Sequence, residues 1–238
     1  MPSNGNLKDY VPRISKAEFD QEATKFLSTY YPEALVIPMA VPIEEIAKKK
    51  LGLTVVERRL TEDFSILGQM CFTGGLAEIY ERDNDEYREV RVKPGTMIID
   101  PDTLTLRNLG SKRNTVAHEC VHWVKHRNYH ILASVIEGNT AVAFRCPVDI
   151  KNDDYSAEWT DEDWMEWQAN GIAPRILMPK DMVEIVFDRK LAESNENPFI
   201  AANLLSPRRW IIEQIADFFQ VSKQSTEIRL IELGHLLQ

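Results

Sequence analysis

Between Ser111 and Arg127 the chain reads SKRNTVAHECVHWVKHR, a helical stretch in which His118 and His122 stand four residues apart with Glu119 directly after the first. On an α-helix, positions i and i+4 share a face about one turn apart, so both imidazoles aim at one point in space. The fold must therefore either bring a further element to that point or leave two solvated histidines on a surface helix.

The first alternative is chemically specific. Two imidazoles at this spacing supply two ligands of a tetrahedral zinc. Glu119 lies about 100 degrees further round the helix, where it reaches a water on the ion without coordinating and acts as general base. Zinc lowers the pKa of such a water from about 15.7 toward 7, and the carboxylate takes the remaining proton as a polarised carbonyl is attacked.

A catalytic zinc needs a third protein ligand. His126 follows on the same face, but eight residues at 1.5 Å rise place it roughly 12 Å along the axis from His118, too far for one ion. The glycine turn that returns a later histidine in metzincins is missing too, because Lys125 and Asn128 occupy its two positions. Glu166 is the best candidate, in the middle of a helix that opens at Thr160 with Asp161, Glu162 and Asp163 stacked in its first turn. The bland alternative is a solvated helix carboxylate. Asn170 shares the Glu166 face one turn later and could hydrogen-bond a ligand histidine's free ring nitrogen.

With 238 residues, 44% of them hydrophobic and 27% charged, the chain has enough apolar side chain for one sizeable core without a structural metal. The net charge of −9 opposes a phosphate backbone, which argues against nucleic acid as a partner. No apolar run nears the roughly 20 residues that span a bilayer, and the opening MPSNGNLKDY lacks the basic-then-apolar order of a secretory signal. A cytoplasmic protein without a membrane partner is the expectation. Cys71, Cys120 and Cys146 form no CxxC pair and are expected as reduced thiols.

Helical spacing after Ser15, and Pro42 to Gly52, predict two helices before any strand. The runs LTVVERRL, ILGQMCFTG, LAEIYER and TMIID predict a small, mostly antiparallel sheet, with RDNDEYRE as a charged turn. The motif helix is expected to open at Ser111 and the second helix to be disturbed by Gly171 and Pro174. Signal is weak from Tyr129 to Asp154, where AVAFRCPV reads as a possible strand and KNDDYS as a loop. Ser206-Pro207 opens a helix to about Phe219, and Val221-Ser222 turns into a last helix that Gly234 can cap.

The segments SKRNTVAHECVHWVKH and EWQANGIAPRILMP resemble the two signature blocks of the ImmA/IrrE family of zinc metallopeptidases, R-F-T-x-A-H-E-x-x-H and E-x-x-A-N-x-x-A followed by L-M-P. Arg113 and Thr115 match the first block, and Ala169, Asn170, Ala173, Leu177, Met178 and Pro179 match the second. Asn114 departs from it, standing where an aromatic is common. The resemblance implies His118, His122 and Glu166 as metal ligands, Glu119 as general base, Zn2+ or alternatively Mn2+, and a regulatory protease that cuts a helix-turn-helix repressor.

These readings predict an α+β, zincin-like domain over residues 1–200 and a helical, helix-turn-helix-like extension over 201–238. His126, His130, Tyr129, Tyr155 and Arg145 are open as oxyanion donors, each more simply structural, while Cys120 and the Trp159, Trp164, Trp167 group read as core or groove wall. Lys223 and Arg229 are offset by Glu227 and Glu232, unlike the basic flank of a DNA reader. The rival function is a transcriptional regulator or partner-binding module with a structural or vestigial zinc.

Overall fold

The computed structural model describes residues 10–137, 143–147 and 159–237, without the side chains of residues 106, 137 and 143–147. Before the first helix, the Ser15 N–H and hydroxyl both donate to Glu18 Oε2, at 2.8 and 2.7 Å, and a single 3-10 turn leads into α1 (Phe19–Tyr30). Next, α2 (Ile43–Glu45) widens into the turn Ile46–Lys50, and Gly52 ends it at a φ of 69°, where a side chain would be strained.

The strands are β1 (Thr54–Glu57), β2 (Ile66–Cys71), β3 (Gly75–Glu81), β4 (Glu86–Val92), β5 (Thr96–Ile99) and β6 (Ala143–Pro147). Four of them form a sheet in the order β1-β5-β2-β6, parallel only between β1 and β5. β3 and β4 form a separate antiparallel hairpin. β4 corrects the expected turn at RDNDEYRE, whose second half is strand. Its first four residues are all exposed, so the inside-outside alternation that marks a strand is missing, and the reversal itself is tightened by Asp85, at a φ of 52°, accepting from the Tyr80 hydroxyl.

The motif helix is longer than expected at both ends. α3 (Leu109–Val121) opens two residues before Ser111, because Asn108 Oδ1 accepts from the Ser111 N–H at 2.9 Å. It widens through His122–His126 and continues as α4 (Arg127–Glu137). The Thr160 capping box opens α5 (Asp161–Leu177), which runs unbroken past Gly171 and Pro174. Burial of Ile172, Ala173, Ile176 and Leu177 offsets the bond that Pro174 cannot donate, and Gly171 lets Phe19 of α1 lie flat on the helix, since a β-carbon there would stand 2.0 Å from the ring.

Helices α6 (Lys180–Asn195), α7 (Pro198–Ala201), α8 (Pro207–Phe219) and α9 (Lys223–Glu232) complete the described chain. One core joins α1, α3 and α5 to the sheet, and a second joins Met182, Val183, Val186 and Phe187 of α6 to Ile211, Ile215, Phe219 and Leu230. Residues on both sides of position 200 thus share one interior. Cys71 and Cys120 are buried free thiols, while KNDDYS, Tyr155 and the side chains of Arg145 and Cys146 lie outside the described residues. Among the described residues no helix is long and apolar enough to cross a membrane.

Candidate metal centre

α3 passes under β2 and against α5, and this sandwich dictates which of its side chains meet. Arg113 is buried and donates to the Val41 carbonyl at 2.7 Å, fixing the start of the helix to the segment before α2. One turn on, Thr115 and Glu119 face β2 at Gly68, whereas His118 and His122 face α5. The carboxylate α5 presents to them is Glu166, the candidate from the middle of the capped helix.

His118 Nε2 and His122 Nε2 are 2.9 Å apart, Glu166 Oε2 is 3.4 Å from the first and Glu166 Oε1 3.2 Å from the second. Bonds near 2 Å to a tetrahedral ion leave neighbouring ligand atoms roughly 3.3 Å apart, and each of these separations is close to that spacing. The chemistry agrees with the spacing, because two neutral imidazoles and one carboxylate form the donor set of a zinc that keeps a fourth position open. This trio could hold a metal ion.

The two carboxylates at the site are set apart by their surroundings. Burial alone would raise the Glu166 carboxyl, but its close pairing with the His118 and His122 imidazoles holds it well below the usual carboxylate range. Glu119 is 0% exposed, neither oxygen has a hydrogen-bond partner among the described residues, and burial pushes it up to about 8 despite His118 nearby. An unbonded carboxyl in such a place is costly to folding and calls for a partner or a role.

Behind the pair, His122 Nδ1 meets His126 Nδ1 at 2.9 Å, His126 Nε2 meets Gln168 Oε1 at 3.1 Å, and Gln168 Nε2 donates to the Pro12 carbonyl at 2.7 Å. His126 is thus engaged at both ring nitrogens and is not available as an oxyanion donor. His130 is buried as well, stacked on Phe72 with ring centroids 4.3 Å apart and edge-on to Tyr129 at 5.3 Å. Asn170 lines the cleft together with His118. Gln168 was invisible to sequence reasoning, since a lone glutamine carries no spacing signal. The i+4 repeat of His118, His122 and His126 is the available clue, although on its own it suggests a failed third ligand or an oxyanion donor.

A cleft of about 790 Å³ opens over His118. Arg107, Asn114 and Thr115 line it from the side of α3, Asn170 and Arg175 from α5, and Ile228 from α9. The family model for the IrrE N-terminal-like domain, peptidase family M78, matches residues 105–231. The chain belongs to this family. No curated protein matches it. The match of the IrrE N-terminal-like domain begins just before α3, contains His118, Glu119, His122 and Glu166, and runs into α9. It thus covers the ligand trio and both sides of the cleft, and identifies a metallopeptidase-like domain of the zincin-like α+β type.

Proposed function

We propose that this IrrE N-terminal-like domain is a zinc-dependent endopeptidase in which His118, His122 and Glu166 hold the ion and Glu119 is the general base. The observation that carries the reading is Glu119, a buried carboxyl with no hydrogen-bond partner beside three converging donors. When bound, a divalent cation such as Zn2+, or Mn2+ in its place, supplies Lewis acidity toward water and a peptide carbonyl.

The chain's own residues do the rest. Glu166 brings the single negative charge of the ligand set, and burial lowers the affinity of His122 for a proton, which favours its neutral ring. Glu119 takes a proton from the attacking water and can return it to the departing amine, the two transfers that amide hydrolysis requires. The cleft accepts an extended segment of protein across His118. The finer reading, a cytoplasmic regulatory protease acting on a helix-turn-helix repressor, is carried by the family resemblance. A purely structural or vestigial zinc, as in a regulator or partner-binding module, leaves the unbonded Glu119 without a purpose.

The test is metal content of the purified protein beside His118→Ala and Glu166→Ala, with cleavage of repressor-type proteins followed by mass spectrometry. Wild type is expected to hold one zinc and to cut, Glu119→Gln to hold zinc and not cut. If Glu119→Gln cleaves as fast as wild type, the mechanism is wrong.

A further inference from the structure

The metal-facing nitrogen of His122 must offer a lone pair, and the hydrogen bonds behind it determine whether it does. We infer that His126 and Gln168 are positioning residues that, anchored on the Pro12 carbonyl, fix the His122 tautomer with its proton on Nδ1 and its lone pair on Nε2. The inference rests on the proposed metal-holding role of His122.

The direction of each bond follows from the far end. A proline has no N–H, and the Pro12 carbonyl can only accept, so the Gln168 group 2.7 Å from it is the amide NH2. That orientation turns Gln168 Oε1, an acceptor only, toward His126 Nε2 at 3.1 Å, which must therefore carry the proton. The His126 ring is 0% exposed and has no carboxylate among its hydrogen-bond partners in the described residues, so it is neutral and leaves Nδ1 as an acceptor. The 2.9 Å contact between the two Nδ1 atoms is then donated by His122. A neutral His122 with its proton on Nδ1 has its lone pair on Nε2, the atom that faces His118 Nε2 and Glu166 Oε1.

Three separate parts of the chain are needed for this. Pro12 precedes α1, the histidines lie on the motif helix, and Gln168 lies on α5 two residues after Glu166. One helix thus supplies the carboxylate ligand and the group that orients an imidazole ligand. Outer partners of this kind typically account for a 10- to 100-fold difference in metal affinity.

The experiment reads the tautomer and the affinity separately. Long-range proton–nitrogen NMR of metal-free wild type at neutral pH is expected to show His122 protonated on Nδ1 alone, and Gln168→Met to mix the two tautomers. Competition with a chromophoric chelator is expected to show zinc held roughly 10- to 100-fold more weakly by Gln168→Met and by His126→Leu. A His122 proton on Nε2 in metal-free wild type overturns the inference, and that reading stands even if a variant does not fold. Zinc affinity lost in His118→Ala but unchanged in both folded variants also overturns it while leaving the proposed function intact. Zinc binding that ignores His118→Ala instead defeats the proposed function.

Discussion

Gly68 of β2 lies against Glu119 of α3 so closely that a β-carbon at position 68 would stand 2.7 Å from Glu119 Oε1 and the same distance from Thr115 Cγ2. The strand thus shapes the space that the proposed general base occupies, and only a glycine leaves the carboxyl where it is.

Gly68→Ala is therefore expected to displace Glu119 while leaving His118, His122 and Glu166 in place. A displacement near 1 Å at a reacting group costs roughly 100-fold in turnover. The variant should bind zinc as wild type does and cleave roughly 100-fold more slowly. Parallel measurement of zinc content and kcat decides it, and an unchanged kcat would show that the alanine is absorbed elsewhere.

Glu119 also gives the metal-free protein a pH signature. Its carboxyl ordinarily titrates near 4.5 and is pushed up to about 8 by burial. Between those values the folded protein keeps a proton that the unfolded chain has released, so this group makes stability fall as pH rises, by at most about 1.4 kcal/mol per pH unit. Glu119→Gln removes the proton from the balance. In excess chelator, its melting temperature should gain on that of wild type steadily from pH 6 to pH 8, and a constant difference across that range refutes the assignment.

His118, Glu119 and His122 were legible because their meaning lies in spacing, whereas Glu166 was singled out by its capped helix and the family resemblance. Periodicity puts two imidazoles on one face, and a strong cap announces the helix bearing the third donor. What was illegible depends on contacts between distant segments. β4 has polar residues on both faces and so no period, and α5 runs through Pro174 because its burial outweighs a local penalty that sequence reasoning sees at full strength. Gly68 and Gln168 matter only through Glu119 and through His126 with Pro12, pairings that no local pattern encodes.

Glu166 should determine whether metal stabilises the fold. A ligand that binds only the native state at 100 times its dissociation constant adds about 2.7 kcal/mol. Zinc at that excess is expected to raise the wild-type melting temperature and to leave Glu166→Ala unmoved. Calorimetry with and without zinc reads this directly, and an equal rise in both proteins removes Glu166 from the ligand set.

The last helices meet α3 at a tight point, and loosening it should affect the whole domain. A β-carbon on Gly110, in the first turn of α3, would lie 2.3 Å from Ser222 N and 2.4 Å from the Val221 carbonyl carbon. Both atoms are backbone in the turn between α8 and α9, so no side chain can swing aside. The turn itself is braced by Val221 N donating to the Ala216 carbonyl at 3.0 Å and by Ser222 Oγ accepting from Ser225 N at 3.0 Å. Beyond it, α9 is anchored by the buried Arg229, which donates to the Met178 carbonyl at 3.3 Å and pairs with Asp20 of α1. Since neither side can yield cheaply, Gly110→Ala should cost about 1–3 kcal/mol, the range for overpacking an interior. Leu109→Ala, its half-exposed neighbour, should stay within about 0.5 kcal/mol of wild type. Because Ser222, Ser225 and Ile228 line the cleft over His118, the same substitution should also weaken substrate binding and raise KM. Urea unfolding of the two variants beside wild type is the check, and a Gly110→Ala midpoint equal to wild type would mean that the turn is not seated on α3.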